Sequence, residues 1–563
     1  MSQEFNLFDE PWITVLDHAG NTEEVSLTNL FQNSRDYRAL ANESPTVDFA
    51  ILRIILAILY RAWRKVSSRN RRKAIEHWRE KWEQQALFDE LVESYIQEVY
   101  PRFNLRDDEA PFFQVHDLHT AKNEWKPISL ILPDVGEEGD LFTMARDVQS
   151  IPPAQAARML IHTMAWDFSG IKSGAVGDRR VKGGKGYPIG TGWAGWLGAT
   201  ILEGNSLHET VMLNYIGTKP STMDEEREDL PVWEKPPLNQ EPEKSKHVDQ
   251  PSDPENAATG PVELLTWQQR RMRLRWNESG DANGVLVCNG DPVGYTIAFG
   301  VETMTPWRFS EPQTKKFKSV RYLPQQLVPG RAMWRSIGGL LPNQTAPQVK
   351  KGIGEGSALA KPAMTVEWIS SLSGAKILPR SQTVRLRMVT MEYGAKSSSY
   401  SNIIADNLVL SSGLLDENSE EIRGVVRRAV EITELVARMI SGYFRNISFA
   451  AGNRDLTDGE ISDLMTRFYG SIDNQFRQWL TSLASHGDAV DGLEKWQSLL
   501  LGVARRLAGE LLAAQNPQVW QGATDKDGKV MNAAIADSIL NASLYKLLAP
   551  KDASKTTNGG NDE

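Results

Sequence analysis

Apolar positions along this chain follow two rhythms. Short alternating tracts dominate the first two thirds, and long tracts with a three-to-four residue repeat dominate the last third. Within 7–31, WITVL and EVSL are strand-prone runs separated by the turn DHAGN, which predicts a β-hairpin. Ser44-Pro45 then opens a helix whose apolar face runs through Phe49, Leu52, Ile55, Leu56 and Leu59. A further helix is predicted near 153–166. VRLRMVTMEYG (384–394) and NIIADNLVLS (402–411) read as two strands joined by the tip AKSSSYS.

From about 418 the pattern is helical. Four series carry it: Ile422, Val425, Val426, Ala429, Val436 and Met439; Ile461, Leu464, Met465, Phe468 and Ile472 on to Phe476 and Trp479; Leu493, Trp496, Leu500, Val503 and Leu507; and Ile535, Ile539, Leu540, Leu544 and Leu547. Breakers such as NRDLTDG and SHGDAVDG separate them. The expected fold class is α+β: a large mixed α/β domain over 1–412, then a C-terminal four-helix bundle over 413–550. Residues 218–261, rich in Pro, Glu, Asp and Ser, are expected to be a mobile insertion, and 551–563 a disordered tail.

Composition narrows the function. The 563 residues are 40% apolar and 24% charged, with a net charge of −9. A wholesale nucleic-acid coat is expected to be basic, so any polyanion contact here must come from local patches. The single cysteine, Cys288, excludes an internal disulfide framework and a cysteine zinc site made by this chain alone, and fits a reducing, cytoplasmic setting. The start MSQEFNLFDEPW carries acids where a signal peptide needs a basic start and an apolar run. AILRIILAILY (50–60) is too short for a membrane span and reads as a buried helix.

Against this acidic background, DFSGIKSGAVGDRRVKGGKGYPIG (167–190) alternates glycines with Lys172, Arg179, Arg180, Lys182 and Lys185. Glycine backbone can approach a ligand closely, and successive bare N–H groups form anion-binding nests. The GGKG run lacks the first glycine and the Ser/Thr of a nucleotide-hydrolysing P-loop. Two more basic patches stand out: 61–82, which reads as one basic helical segment with Arg61, Arg64, Lys65, Arg69, Arg71, Arg72 and Lys73, and TKKFKSVR (314–321), with Lys315, Lys316 and Lys318 as phosphate-contact candidates. The tip around Lys396 has little to bury and suits a wedge entering a groove. HDLH (116–119) supplies two histidines without a third ligand, and HExxH, GxSxG and CxxC are absent, so no catalytic residue and no metal site is assigned. The residues alone leave three readings open: a nucleic-acid-binding subunit, an enzyme using the glycine loop for a phosphorylated ligand, and a structural scaffold binding RNA or protein.

The order of motifs adds a resemblance. FNLFDEPWITV with VSLTNLF, APFFQV (110–115), GIKSG (170–174), WRFSEPQTKK, PGRAMWRSIGGLL and MEYGAKSS (391–398) together resemble the CasA family, the large subunits of type I-E CRISPR Cascade surveillance complexes. The resemblance runs over nearly the whole chain. It implies a non-enzymatic, cofactor-free subunit of an antiviral complex. Its implied partners are the other Cascade subunits, the 5′ handle of the guide crRNA, target double-stranded DNA and a helicase-nuclease recruited in trans. The implied role is to read the protospacer-adjacent motif (PAM) largely from the minor groove and to start strand opening and R-loop formation. Such a reader separates A·T from G·C but tolerates related PAMs.

Residue by residue, the resemblance puts PAM contacts on Asp167, Phe168, Ser169, Gly170 and Lys172 and the wedge on Ala395, Lys396 and Ser397, and subunit or guide docking near Phe142, Thr143 and Met144. At the wedge the chain departs from the family, which usually has Asn-Gln there. A lysine donates to base-edge acceptors but lacks the amide's paired donor and acceptor.

Overall fold

A computed structural model describes residues 4–133, 148–218, 228–241, 258–294, 298–342, 348–483 and 489–548. The chain divides into two compact units. One comprises Met1–Pro329, Ala346–Ile377 and Thr383–Asn407; the other Gly330–Thr345, Leu378–Gln382 and Leu408–Glu563.

In the first unit the hairpin expected near the N-terminus is formed by β1 (Ile13–Asp17) and β2 (Thr22–Val25), with β3 (Tyr37–Leu40) on the other side of β1. Helix α1 (Pro45–Ala62) starts where Ser44-Pro45 predicts, with the Ser44 side chain accepting from the Val47 N–H. Nearly every residue of α1 is buried, so its apolar positions wrap the whole helix rather than one face. Arg53, buried on it, is matched by Glu302 at 3.0 Å. The basic stretch 61–82 is not one helix: α1 ends, a turn intervenes, and α2 (Arg71–Glu83) begins with Asn70 as its cap. Helix α3 (Pro153–Trp166), also buried along most of its length, ends at Asp167.

Segment 228–241 is packed, contrary to the mobile insertion expected over 218–261. Trp233 is buried and its indole N–H donates to the Tyr95 hydroxyl at 2.8 Å, Glu234 pairs with Arg61, and the Asp229 carboxylate accepts the backbone N–H groups of Val262 and Glu263. Composition averaged over the stretch hides these few anchors.

Several small sheets frame the site. A short hairpin joins β4 (Lys172–Ser173) to β5 (Lys185–Gly186). Strand β6 (Ala199–Glu203) pairs antiparallel with a later strand described below. β7 (Arg270–Trp276) and β8 (Ala282–Asn289) form a twisted pair, with Cys288 buried on β8. β9 (Trp307–Phe309) lies between β10 (Tyr322–Pro324) and β11 (Ala360–Lys361), and helix α4 (Glu311–Phe317) follows it. The long strands β12 (Thr383–Tyr393) and β13 (Tyr400–Ser411) appear where period-two patterning places them, in the order β13-β12-β6.

The second unit is the expected four-helix bundle: α5 (Glu420–Ala450), α6 (Asp458–Leu483), α7 (Ala489–Ala513) and α8 (Ala533–Leu548). Val426, Ala429 and Val436 of α5, Phe468 and Phe476 of α6, and Trp496 and Leu500 of α7 meet in its core, and the Trp496 N–H donates to the Thr433 hydroxyl at 3.0 Å. On α8 the buried register is Ala533, Ala536, Leu540, Leu544 and Leu548, so Ile535 and Ile539 of the expected series face outward. The bundle also claims Gly330–Thr345, well before the expected boundary. There Trp334 stacks on Phe476 at 4.3 Å and donates to Asp473, while Arg335 pairs with Glu434 at 2.7 Å. No helix among the described residues is long and apolar enough to cross a membrane.

Candidate nucleic-acid interface

Two segments far apart in sequence meet in the first unit. The Ser169 N–H of the glycine loop donates to the Ser397 carbonyl of the hairpin tip at 2.7 Å. Both residues line a cleft of about 720 Å³.

Helix α3 delivers the loop. Its last turn ends with the Asp167 N–H bonded to the Thr163 carbonyl, which sets a carboxylate at the negative end of the helix dipole, an unfavourable place for it. Two cations offset this. Arg270, at the start of β7, reaches Asp167 Oδ2 with Nε at 2.5 Å, and Lys172 Nζ lies 2.8 Å from the same oxygen. The three side chains are 1%, 6% and 5% exposed for Arg270, Lys172 and Asp167, so the cluster is shut off from water. Lys172 also sits 3.8 Å above the Phe168 ring, a cation–π contact worth about 0.5–2 kcal/mol. Burial holds the Lys172 amine below its usual pKa; Asp167 pulls the other way and Arg270 adds to the lowering.

Arg270 closes the loop as well. Its guanidinium donates to the carbonyls of Phe168 at 3.2 Å and Gly190 at 2.7 Å, and the Gly192 N–H bonds the Asp167 carbonyl at 2.7 Å. Both ends of 167–190 are therefore clamped at one point. Within the loop, the N–H and C=O of Lys182 and Lys185 pair across Gly183 and Gly184, whose φ values are +60° and +72°. That two-residue turn needs left-handed backbone twice, which is why glycine occupies both positions. Gly174 meets a different demand: a Cβ there would lie 2.6 Å from the Gly184 carbonyl.

The basic residues expected to meet phosphates divide sharply. Lys172 points inward, as above. Arg180 is held by Asp178 at 2.9 Å and donates to the Gly290 and Asn289 carbonyls, so it locks the loop to the end of β8. Both corrections have one cause: each cation has a carboxylate partner a few residues away in the same loop. Arg179, Lys182 and Lys185 are exposed at the loop's outer part. Lys315 pairs with Glu311 at 2.6 Å along α4, Lys316 lies over the Phe317 ring, and Lys318 caps α4 with a left-handed backbone, φ +51°. Phe142, Thr143 and Met144 lie outside the described residues.

At the hairpin tip, Gly394 and Ser399 pair through N–H···O=C at 3.0 Å, and Ala395–Ser397 form a single helical turn. Ala395 and Lys396 are exposed, and Lys396 and Ser397 have φ of +56° and +54°. Below the tip, Tyr400 meets the Phe168 ring edge-on at 5.4 Å, and the Tyr393 hydroxyl donates to the Trp166 carbonyl at 2.6 Å. The tip thus rests on the end of α3 and the root of the glycine loop. Asp167 is buried, while Phe168, Ser169 and Gly170 are half-buried.

Sequence reasoning missed Arg270 and Arg308. Arg270 is legible only as an arginine-rich strand, since its partner Asp167 is remote in sequence. Arg308 had a usable signal: in TPWRF the alternation of a strand sets it opposite Trp307, and Trp307 is buried while Arg308 is exposed and lines the cleft. Among the described residues no group of three His, Cys, Asp or Glu side chains is placed to hold a metal ion.

Comparison with known proteins gives a consistent picture. Residues 6–507 match the family model described as CRISPR-associated protein Cse1. A CRISPR-associated protein CasA/Cse1 from Thermus thermophilus is 24% identical over 523 residues, which cover 89% of this chain and 91% of the relative. The crystal structure of Thermobifida fusca Cse1 is 34% identical, with a TM-score of 0.84 over 97% of this chain and 98% of that one. A chain in a structure described as a CRISPR RNA-guided surveillance complex shares the fold at 16% identity, with a TM-score of 0.69 over 97% of this chain and all, 100%, of the other.

Proposed function

We propose, from the premise that this chain belongs to the CRISPR-associated Cse1 family, that it is the large, non-enzymatic subunit of an RNA-guided surveillance complex and recognises the PAM of target duplex DNA. In this reading its partners are the other subunits of the complex, the 5′ handle of the guide crRNA and target DNA. Binding starts strand opening and R-loop formation, and the assembled surface recruits a helicase-nuclease for antiviral cleavage in the cytoplasm.

One observation supports this reading above the others: glycine loop and hairpin tip join through Ser169 and Ser397 beside a cleft that also exposes Lys396. Bare loop backbone and small hydroxyls allow close approach to a groove, and Lys396 supplies a donor for the acceptors on base edges. The base of the loop works by stiffness instead. The Asp167–Arg270–Lys172 cluster fixes where Ser169 and Gly170 sit, so little order has to be gained on binding. Guide pairing then reads the rest of the target, and the protein reads shape and PAM.

The test is Lys396→Ala in the assembled complex. Assembly and melting temperature should be unchanged, because the side chain is exposed, while affinity for a PAM-bearing duplex falls roughly tenfold and discrimination between PAM variants weakens. Unaltered affinity and discrimination would refute the role given to the tip.

A further inference from the structure

We propose that Arg308 is a second DNA anchor in the same cleft, gripping a backbone phosphate rather than a base; this rests on the reading of the cleft given above. Arg308 lies on β9, and its register partner on β10, Leu323, also lines the cleft. Trp307 and its side of the strand face the core, so alternation turns the guanidinium outward.

Charge bookkeeping singles it out. Lys172, Arg180 and Lys315 each have a carboxylate within 3 Å. Arg308 and Lys396 form no hydrogen bond or ion pair through their side chains with another described residue. They are the two cations of the cleft lining, against one carboxylate, Glu392. A chain of net charge −9 thus turns a net positive surface to this one cleft. Ser169, Thr191, Gln269 and Ser397 add neutral hydrogen-bonding groups to the same lining.

Arginine rather than lysine fits a phosphate here. Its planar fork donates two parallel bonds to an oxyanion, and on a short paired strand it is held more firmly than a group on a hairpin tip. Arg308 would then position the duplex, and Lys396 would meet base edges. The space, about 720 Å³, suits a nucleotide-sized group.

The experiment uses the full chain assembled with its partner subunits and guide RNA. The complex is titrated with duplexes carrying a matched or a mismatched PAM at several salt concentrations. Because the Arg308 side chain makes no hydrogen bond or ion pair with another described residue, Arg308→Ala and Arg308→Gln should melt with the wild type. Both should weaken matched and mismatched duplexes by the same factor, roughly tenfold. Both should also reduce the slope of log affinity against log salt by about 0.9, the share of one phosphate. Arg308→Lys, which keeps the charge, should retain the slope. If Arg308→Ala leaves affinity and slope intact while Lys396→Ala weakens binding, the Arg308 anchor is wrong and the PAM-reading role stands. A loss confined to the matched duplex overturns the phosphate assignment. A wild-type complex that binds matched and mismatched duplexes alike overturns the PAM-reading role itself.

Discussion

The root of the glycine loop and the tip of the 394–399 hairpin touch at Ser169 and Ser397, yet they treat positive charge in opposite ways. At the root, Lys172 and Arg270 are buried against one carboxylate and hold the chain in place. At the tip, Lys396 is exposed on a turn of small residues and makes no side-chain hydrogen bond or ion pair with another described residue. A cation pulled out of water must be paired, and once paired it has little left for a ligand. A glycine-rich basic segment can therefore be a rigid support whose neighbour, with far fewer charges, keeps its cation in solvent.

The largest effect that would break this contrast comes from the shared carboxylate. Asp167→Ala leaves two buried cations without a counter-charge, and breaking such a pair costs about 3–5 kcal/mol. Urea unfolding of the full chain should show that loss. A change within experimental error would mean that the cluster does not hold the loop.

His162 sharpens the contrast from beneath. It lies on α3, bonded to the Thr46 hydroxyl at 3.0 Å, with its ring 6.4 Å from that of Tyr400 under the tip. Burial lowers its pKa from 6.5 to about 4, and Asp167 pulls weakly upward. The unfolded chain takes the proton first, so neutral His162 contributes stability above pH 6.5 that is lost as pH falls towards about 4. The loss over that window is about 3 kcal/mol, at 1.36 kcal/mol per unit. Asp48 opposes it, since burial raises its carboxyl to about 6 and protonation there favours the fold. The difference between wild type and His162→Gln in pH-dependent unfolding isolates the histidine: relative to the wild type, the variant should gain stability as pH falls from 6.5 to about 4. Parallel curves would show that the imidazole takes up its proton freely in the fold.

The smallest effect, and the one that bears on the proposed DNA contact, is at the tip. Lys396→Ala should leave unfolding unchanged while weakening DNA binding by roughly tenfold, about 1.4 kcal/mol. If it lowered stability as Asp167→Ala does, root and tip would be one structural device and the division of labour would vanish.

Local patterning carried much of this architecture. Helix α3 ends at Trp166, within the predicted 153–166, because its apolar residues and opening prolines announce it. β12 and β13 flank the expected tip, and the four apolar series become the four bundle helices. What sequence could not convey is which charges meet. Asp167 finds Arg270 only after β7 is laid beside the end of α3, a tertiary event with no spacing to betray it. Segment 228–241 packs through Trp233 and Glu234 against residues near 61 and 95, again remote partners. Gly330–Thr345 joins the bundle through Trp334 and Arg335, two side chains whose destination no periodicity encodes.

The backbone of the tip sets a limit on anyone who would improve this protein. Lys396 and Ser397 sit at φ of +56° and +54°, a conformation that costs an ordinary residue roughly 1–2 kcal/mol and glycine almost nothing. A library selected for heat tolerance alone would drift towards glycine at both places and discard the lysine. If the tip meets DNA as proposed, ruggedness and recognition are at odds in these two residues, and a hardened version should be sought elsewhere in the chain.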